Sequence, residues 1–232
     1  MILYMTYKEE LETRGFFIVK NVFSNNEIEE FKNEIMNYIR TKKIRRGSSI
    51  PDFIKRPELK KVSDIKDNKK INEILSEIFD KNYRFCSHND IGINRATAWH
   101  KDKLNNKYEK YETHDIWSEF EGETHEIVKV LIYLQDHSND NDGLKVIPYS
   151  HLERCMYKEK LIVNTEDIHQ LRPGLGDIII FDQRITHQGA DKEIPRERIL
   201  VSFGFGKNNI FTDNFEKGTI IRQNEQNEKI KF

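Results

Sequence analysis

Residues 126–135 restrict the fold of this chain more than any other stretch. Val128, Val130, Ile132 and Leu134 alternate with Lys129, Leu131, Tyr133 and Gln135, and strand side chains point to opposite faces at successive residues. One face is wholly apolar and the other mixed, which predicts a strand in a two-sheet sandwich with a packed outer side and a polar lumen. Residues 198–205 repeat the split: Ile199, Val201, Phe203 and Phe205 share one face, Arg198, Leu200, Ser202 and Gly204 the other. Further strands are read at residues 16–22, 83–94, 144–147 and 176–182, the last with three consecutive isoleucines, and turn residues occupy 138–143 and 173–176.

The N-terminal third reads as helical. Thr6-Tyr7-Lys8-Glu9 and Ser24-Asn25-Asn26-Glu27 have the form of capping boxes. The first opens a short helix closed by Gly15, and the second a helix with Ile28, Phe31, Ile35 and Ile39 on one stripe. A third helix carries Ile71, Ile74, Leu75 and Ile78 and is capped by Asp67 or Asn68. Short strands after such a start predict a mainly β chain with an α-helical N-terminal part, built as a double-stranded β-helix, a cupin-like jelly roll. The 232 residues contain no Pro/Gly/Ser-rich linker, so one domain is expected over 1–232: a helical region about 1–80, a jelly-roll core about 81–206 and a C-terminal extension 207–232.

Composition narrows the function classes. A net charge of -1 with 33% charged residues demands neither nucleic acid nor an anionic membrane as partner. Cys86 and Cys155 are too few for a disulfide framework and have no metal-ligand spacing. No apolar run approaches the roughly 20 residues of a membrane span, and residues 1–4 are too short for a signal-peptide core. A cytoplasmic protein acting on a small molecule is expected, and nothing in the sequence bears on its oligomeric state.

Within this frame Trp99-His100-Lys101-Asp102 carries chemistry. In an extended segment His100 and Asp102 project to one side and Lys101 to the other. A second histidine brought there by the fold would complete a 2-His-1-carboxylate triad, which holds a metal on one face and leaves the opposite positions open. His187, after the triple-isoleucine strand, is the candidate, with His88 and His151 as competitors. Arg198 and Ser202 lie on the lumen face of the last strand, where a guanidinium fork and a hydroxyl suit a carboxylate ligand. Arg184, Arg196 and Lys129 compete with Arg198 for that role.

Two segments are read more coarsely. Residues 40–61 contain nine Lys or Arg against Asp52 and Glu58, which suggests a solvated basic loop, or a landing strip for an anionic substrate. Residues 103–124 are polar and acidic but include Tyr108, Tyr111, Trp117 and Phe120, and are read as a lid leaving from Asp102. His114, His125, His137 and His169 are expected in loops or at strand ends, without a catalytic role.

Several pieces in order resemble the phytanoyl-CoA dioxygenase family of Fe(II)/2-oxoglutarate-dependent oxygenases. They are Gly15-Phe16-Phe17-Ile18-Val19, Trp99-His100-Lys101-Asp102, residues 130–136, Gly143-Leu144-Lys145-Val146-Ile147-Pro148-Tyr149-Ser150-His151, Pro173-Gly174-Leu175-Gly176-Asp177, and His187 with Arg198. The resemblance covers about residues 10–206. It implies Fe(II) on His100, Asp102 and His187, with 2-oxoglutarate held by Arg198, which stands 11 residues after His187. It also implies O2 as co-substrate and hydroxylation of an unactivated C–H bond, with release of succinate and CO2. Asn94 resembles a family amide that contacts 2-oxoglutarate. Gly189 departs from the pattern, since many members carry Ser or Thr there; Ser202 is a substitute hydroxyl. Tyr149 replaces a glycine and adds a phenol near the pocket rim. The presence of Asp102 favours hydroxylation over halogenation. A cupin-like Zn(II) hydrolase using the same ligands, which leaves Arg198 without a purpose, and a non-catalytic binding module are the alternatives.

Overall fold

The structure is a computed structural model that describes residues 5–102, 127–153, 161, 163–190 and 197–229. The expected lid at 103–124, His114, His125, Cys155 and Arg196 lie outside the described residues.

Helix α1 (Tyr7–Arg14) starts on the Thr6 capping box and stops at Gly15, whose φ of 83° is left-handed. Strand β1 (Phe16–Val19) follows, then α2 (Asn25–Lys42), which starts on the Ser24 capping box and buries Ile28, Phe31, Ile35 and Tyr38. Helix α4 (Lys69–Ile78) is capped by Asn68, whose side chain accepts from the Lys70 and Ile71 amides.

Residues 40–61 are not the solvated loop expected from their charge. They form β2 (Ser49–Pro51), two short 3-10 turns and the start of α3 (Lys60–Ser63). Ile50, Phe53 and Leu59 are buried there. Lys42, Lys55 and Lys61 pair with Glu58, Asp52 and Glu30, so part of the basic charge is countered at the surface. Apolar residues three to six apart decided this packing, and the charges occupy its outer face.

The β core has two sheets. Strands β3 (Tyr83–Ile93), β4 (Ile127–Tyr133), β7 (Ile178–Asp182) and β9 (Ile199–Lys207) join β1 and β2 in a six-stranded antiparallel sheet ordered β1-β7-β4-β9-β3-β2. Strands β5 (Lys145–Val146), β6 (His169–Gln170) and β8 (His187–Gln188) form the second, ordered β6-β5-β8. The two oppose each other as a jelly roll.

Strand alternation sorts the core as the sequence demands. Val128, Val130, Ile132, Ile199, Val201, Phe203 and Phe205 join the N-terminal helices in one large cluster outside the six-stranded sheet. Burial of each such side chain contributes about 1.5–3 kcal/mol. Leu131, Tyr133 and Phe181 meet Leu144, Val146 and Leu171 between the sheets.

Two features were not visible in the pattern. Strand β3 bulges between Phe85 and Asn89, where Ser87 has a φ of 57°. The bulge turns both Cys86 and His88 toward Gly204: a Cβ there would lie 2.9 Å from the His88 Cβ and 3.0 Å from the Cys86 Sγ. The C-terminal extension is a long helix, α5 (Ile210–Lys229), laid across β3.

Candidate metal centre

His100 and His187 are joined through their backbones, each amide donating to the other's carbonyl at 3.0 and 2.9 Å. The Asp102 amide donates to the Gln183 carbonyl at 3.0 Å. Lys101 points the other way, as alternation requires, and its buried ammonium donates to the Ser150 and Arg184 carbonyls. That anchor on the second sheet's connecting turns leaves His100 and Asp102 facing a pocket of about 300 Å³ between the sheets.

There His100, Asp102 and His187 each offer one ligand atom, all within 4.8 Å of one another. The Asp102 carboxylate lies 3.6 Å from His100 Nε2 and 3.8 Å from His187 Nε2. Both Nδ1 atoms meet backbone carbonyls, Ala98 at 2.7 Å and Ile185 at 3.0 Å. A carbonyl only accepts, so each Nδ1 carries the proton and each Nε2 presents its lone pair to the same point. The tautomers are set by main chain, and the Phe181 ring, 4.9 Å from that of His187, helps to hold the latter's orientation.

Charge at this point is also arranged. Burial favours the protonated form of Asp102, but Lys129, whose ammonium is 3.7 Å away, and the two imidazoles hold its carboxyl well below the usual range. Lys129 is buried on β4, and desolvation lowers its ammonium to about 8 despite Asp102. Lys129, read as a competitor of Arg198, faces the Asp102 carboxylate. Burial and the neighbouring His100 push His187 down to about 4. His100 is raised, because Asp102 outweighs the effect of burial.

Arg198 is buried at the other end of the pocket, beside β9. Its guanidinium donates to the Asp142 carbonyl at 3.1 Å and to the Arg95 carbonyl. Among the described residues no carboxylate pairs with it. The Tyr133 hydroxyl is likewise buried without a hydrogen-bond partner there, its phenol raised to about 12 by burial against the opposing effect of Arg198. Asn94 brackets Arg198 through the main chain: its amide donates to the Arg198 carbonyl at 2.8 Å and its Oδ1 accepts from the Arg198 amide at 3.2 Å.

Ser202 also lines the pocket, opposite Asp90 on β3 and four residues along β9 from Arg198. The hydroxyl beside Arg198 belongs instead to Thr97. Thr97 Oγ1 accepts from the Gly189 amide at 2.7 Å and sits 2.7 Å from where a Cβ at residue 189 would lie; Arg198 Nη1 and Nη2 are 3.6 Å from that same point. The missing Ser or Thr at Gly189 thus has a spatial counterpart 92 residues earlier in the chain. No sequence periodicity links the two positions.

The remaining sequence candidates take other roles. His151 Nε2 donates to the Glu12 carbonyl at 3.0 Å and its ring fills the space beside Gly15. Arg184 forms an ion pair with Asp182 at 2.8 Å. Tyr149 is 55% exposed and does not line the pocket, so its expected place at the rim is corrected. No residue of 40–61 lines the pocket either.

A model of the phytanoyl-CoA dioxygenase family matches residues 11–193. The chain belongs to the phytanoyl-CoA dioxygenase family. The family match takes in His100, Asp102 and His187 and ends before Arg198, β9 and α5. No curated protein matches the sequence. Among solved structures, HygX from Streptomyces hygroscopicus with nickel and 2-oxoglutarate bound has a TM-score of 0.66 at 16% identity, covering 85% of this chain and 84% of that one. SnoN, an α-ketoglutarate-dependent epimerase of nogalamycin biosynthesis, has 0.64 at 15% identity, with 85% and 80% covered. AviO1 from Streptomyces viridochromogenes has 0.64 at 14% identity, with 87% and 94% covered. Identity this low carries the fold and not the reaction. No helix among the described residues is long and apolar enough to cross a membrane.

Proposed function

We propose that this chain is an Fe(II)- and 2-oxoglutarate-dependent dioxygenase that hydroxylates an unactivated C–H bond of a small molecule, releasing succinate and CO2. The observation that carries the reading is the convergence of two Nε2 lone pairs and one carboxylate, with both histidine tautomers set by backbone carbonyls. Two imidazoles and a carboxylate with open positions opposite suit non-heme Fe(II). Cys86, the described residues' only thiol, is buried and pushed up to about 12 by desolvation, away from this donor set. Bound to these ligands, the iron supplies O2 activation coupled to decarboxylation of 2-oxoglutarate.

The chain's own groups then have definite tasks. Asp102 stays ionised beside Lys129, so it binds a cation without first losing a proton. Arg198, a buried cation without a counter-charge among the described residues, takes the distal carboxylate of 2-oxoglutarate. Thr97, whose hydroxyl proton has no acceptor among the described residues, donates to that carboxylate, and the buried Tyr133 hydroxyl acquires its missing partner. Asn94 holds the Arg198 backbone in register. Ser202 lines the space beyond and contacts bound ligand from β9. A zinc hydrolase would use the same three ligands but give this set of donors around Arg198 no task.

The experiment is anaerobic titration with Fe(II) and 2-oxoglutarate. A weak visible charge-transfer band that disappears in Asp102→Ala supports the reading, and tight Zn(II) binding without that band refutes it. A succinate-release screen over amino acids, phosphonates, nucleotide sugars and acyl thioesters, with mass analysis of the products, then separates oxygen insertion from epimerisation or ring closure. An added oxygen atom is expected.

A further inference from the structure

The pocket has a second polar end that the iron and 2-oxoglutarate do not use. Asn94 is opposite Arg198, the residue just before β9, whereas His88 and Cys86 face Gly204. Six residues of strand separate these levels, roughly 20 Å at about 3.3 Å per residue. The Asp102 carboxylate is reached from the second level, since Lys129 pairs with Gly204 in register while its ammonium lies 3.7 Å from Asp102.

At this end α5 sends Arg222 into the pocket. The helix is firmly seated: Arg84 pairs with Asp213 at 2.6 Å and also with Glu216, Gln223 donates to the Asn89 carbonyl at 3.1 Å, and Phe215 is buried against Cys86 and Ile127. Arg222 is therefore directed by a fixed scaffold. Its Nη2 donates to His88 Nδ1 at 2.8 Å. A guanidinium has no lone pair to accept with, so His88 Nδ1 must be unprotonated and its proton sits on Nε2, a second donor. The Arg222 Nε is buried and has no hydrogen-bond partner among the described residues, and no carboxylate pairs with the guanidinium there. Asp90, the nearby acid on β3, is within 3.8 Å of Arg95, and Arg222 acts on it only from beyond ion-pair contact. A half-buried guanidinium whose buried Nε lacks a hydrogen-bond partner, with no carboxylate in ion-pair contact among the described residues and an N–H donor beside it, offers its donors to a ligand's acceptor atoms.

We propose that Arg222 and His88 form the recognition subsite for an acidic group, a carboxylate or a phosphate, on the primary substrate. This rests on the dioxygenase reading for the identity of the reaction, but the subsite itself stands on residues that bind neither metal nor 2-oxoglutarate. The buried Asp90 Oδ1, which has no partner among the described residues, accepts from an O–H or N–H of the same substrate. The family match stops at residue 193, so the helix that carries Arg222 lies outside it. The subsite thus joins Arg222 from this C-terminal helix to His88 and Asp90 from the matched part, which also carries His100, Asp102 and His187.

Isothermal titration with inorganic phosphate, and separately with acetate, tests the subsite. It is done on anaerobic protein saturated with Fe(II) and 2-oxoglutarate and repeated on metal-free protein. Wild type is expected to bind at least one anion, and the anion that binds distinguishes phosphate from carboxylate substrates. Arg222→Gln should weaken that binding tenfold or more in both states, Arg222→Lys should weaken it less, and the 2-oxoglutarate charge-transfer band should be unchanged in each variant. No anion binding by wild type, or equal binding by Arg222→Gln, overturns the proposal. A missing charge-transfer band in wild type refutes the dioxygenase reading alone, because the metal-free titration still reads the subsite.

Discussion

Moving the hydroxyl beside Arg198 from one chain segment to another tests the co-substrate pocket at the level of single atoms. Thr97 Oγ1 lies 2.7 Å from the point a residue-189 Cβ would occupy, and that point is 3.6 Å from both terminal nitrogens of Arg198. The two positions therefore share one space, and only one of them can carry a side chain into it. Thr97→Ala removes the hydroxyl; a hydrogen bond to a charged group contributes about 1.5–3 kcal/mol, so 2-oxoglutarate affinity should fall about ten- to a hundredfold. Gly189→Ser alone drives a Cβ against Thr97 and should weaken binding at least as much. The double variant Thr97→Ala/Gly189→Ser removes the overlap and restores a hydroxyl beside Arg198. It should bind 2-oxoglutarate more tightly than either single variant, a coupling that a double-mutant cycle measures directly. The assay is anaerobic titration of Fe(II)-loaded protein followed by the charge-transfer band, with thermal melts to compare stability. Affinity of Thr97→Ala within twofold of wild type, or a double variant no tighter than Thr97→Ala, refutes the reasoning.

Arg198→Ala should weaken 2-oxoglutarate binding by at least tenfold and leave Fe(II) affinity nearly intact, as measured by the same titration; equal 2-oxoglutarate affinity excludes its role. Burial lowers the His151 imidazole despite its bond to the Glu12 carbonyl, so the folded chain keeps it neutral where the unfolded chain protonates it, below about 6.5. This contribution to stability is complete above that pH and is lost as pH falls toward the lower folded value. Urea unfolding of wild type and His151→Gln across pH 7.5 to 5.5 should show a shallower decline in the variant, and parallel declines would rule the assignment out. Gly176→Ala places a Cβ over the Phe23 carbonyl oxygen at a φ of 84°. Left-handed backbone at about 1–2 kcal/mol and overpacking at about 1–3 should together lower unfolding stability by about 2–5 kcal/mol, and a loss below about 1 kcal/mol would contradict the fit.

Local chemistry in the sequence determined a good deal. The Thr6 and Ser24 capping boxes, the apolar faces of β4 and β9, and the opposition of Lys101 to His100 and Asp102 follow from periodicities of a few residues, which the backbone enforces wherever the chain is helical or extended. The charge of residues 40–61 misled because charge records which face is wet, while Ile50, Phe53 and Leu59 decided that the segment packs. Tertiary structure alone decided the rest. Thr97 meets Gly189 across 92 residues, the β3 bulge sets His88 beside Gly204, and α5 delivers Arg222 to it at 2.8 Å. Such contacts depend on how strands are registered and where a helix lands, and these are settled by packing summed over the whole core, which leaves no short-range mark in the sequence.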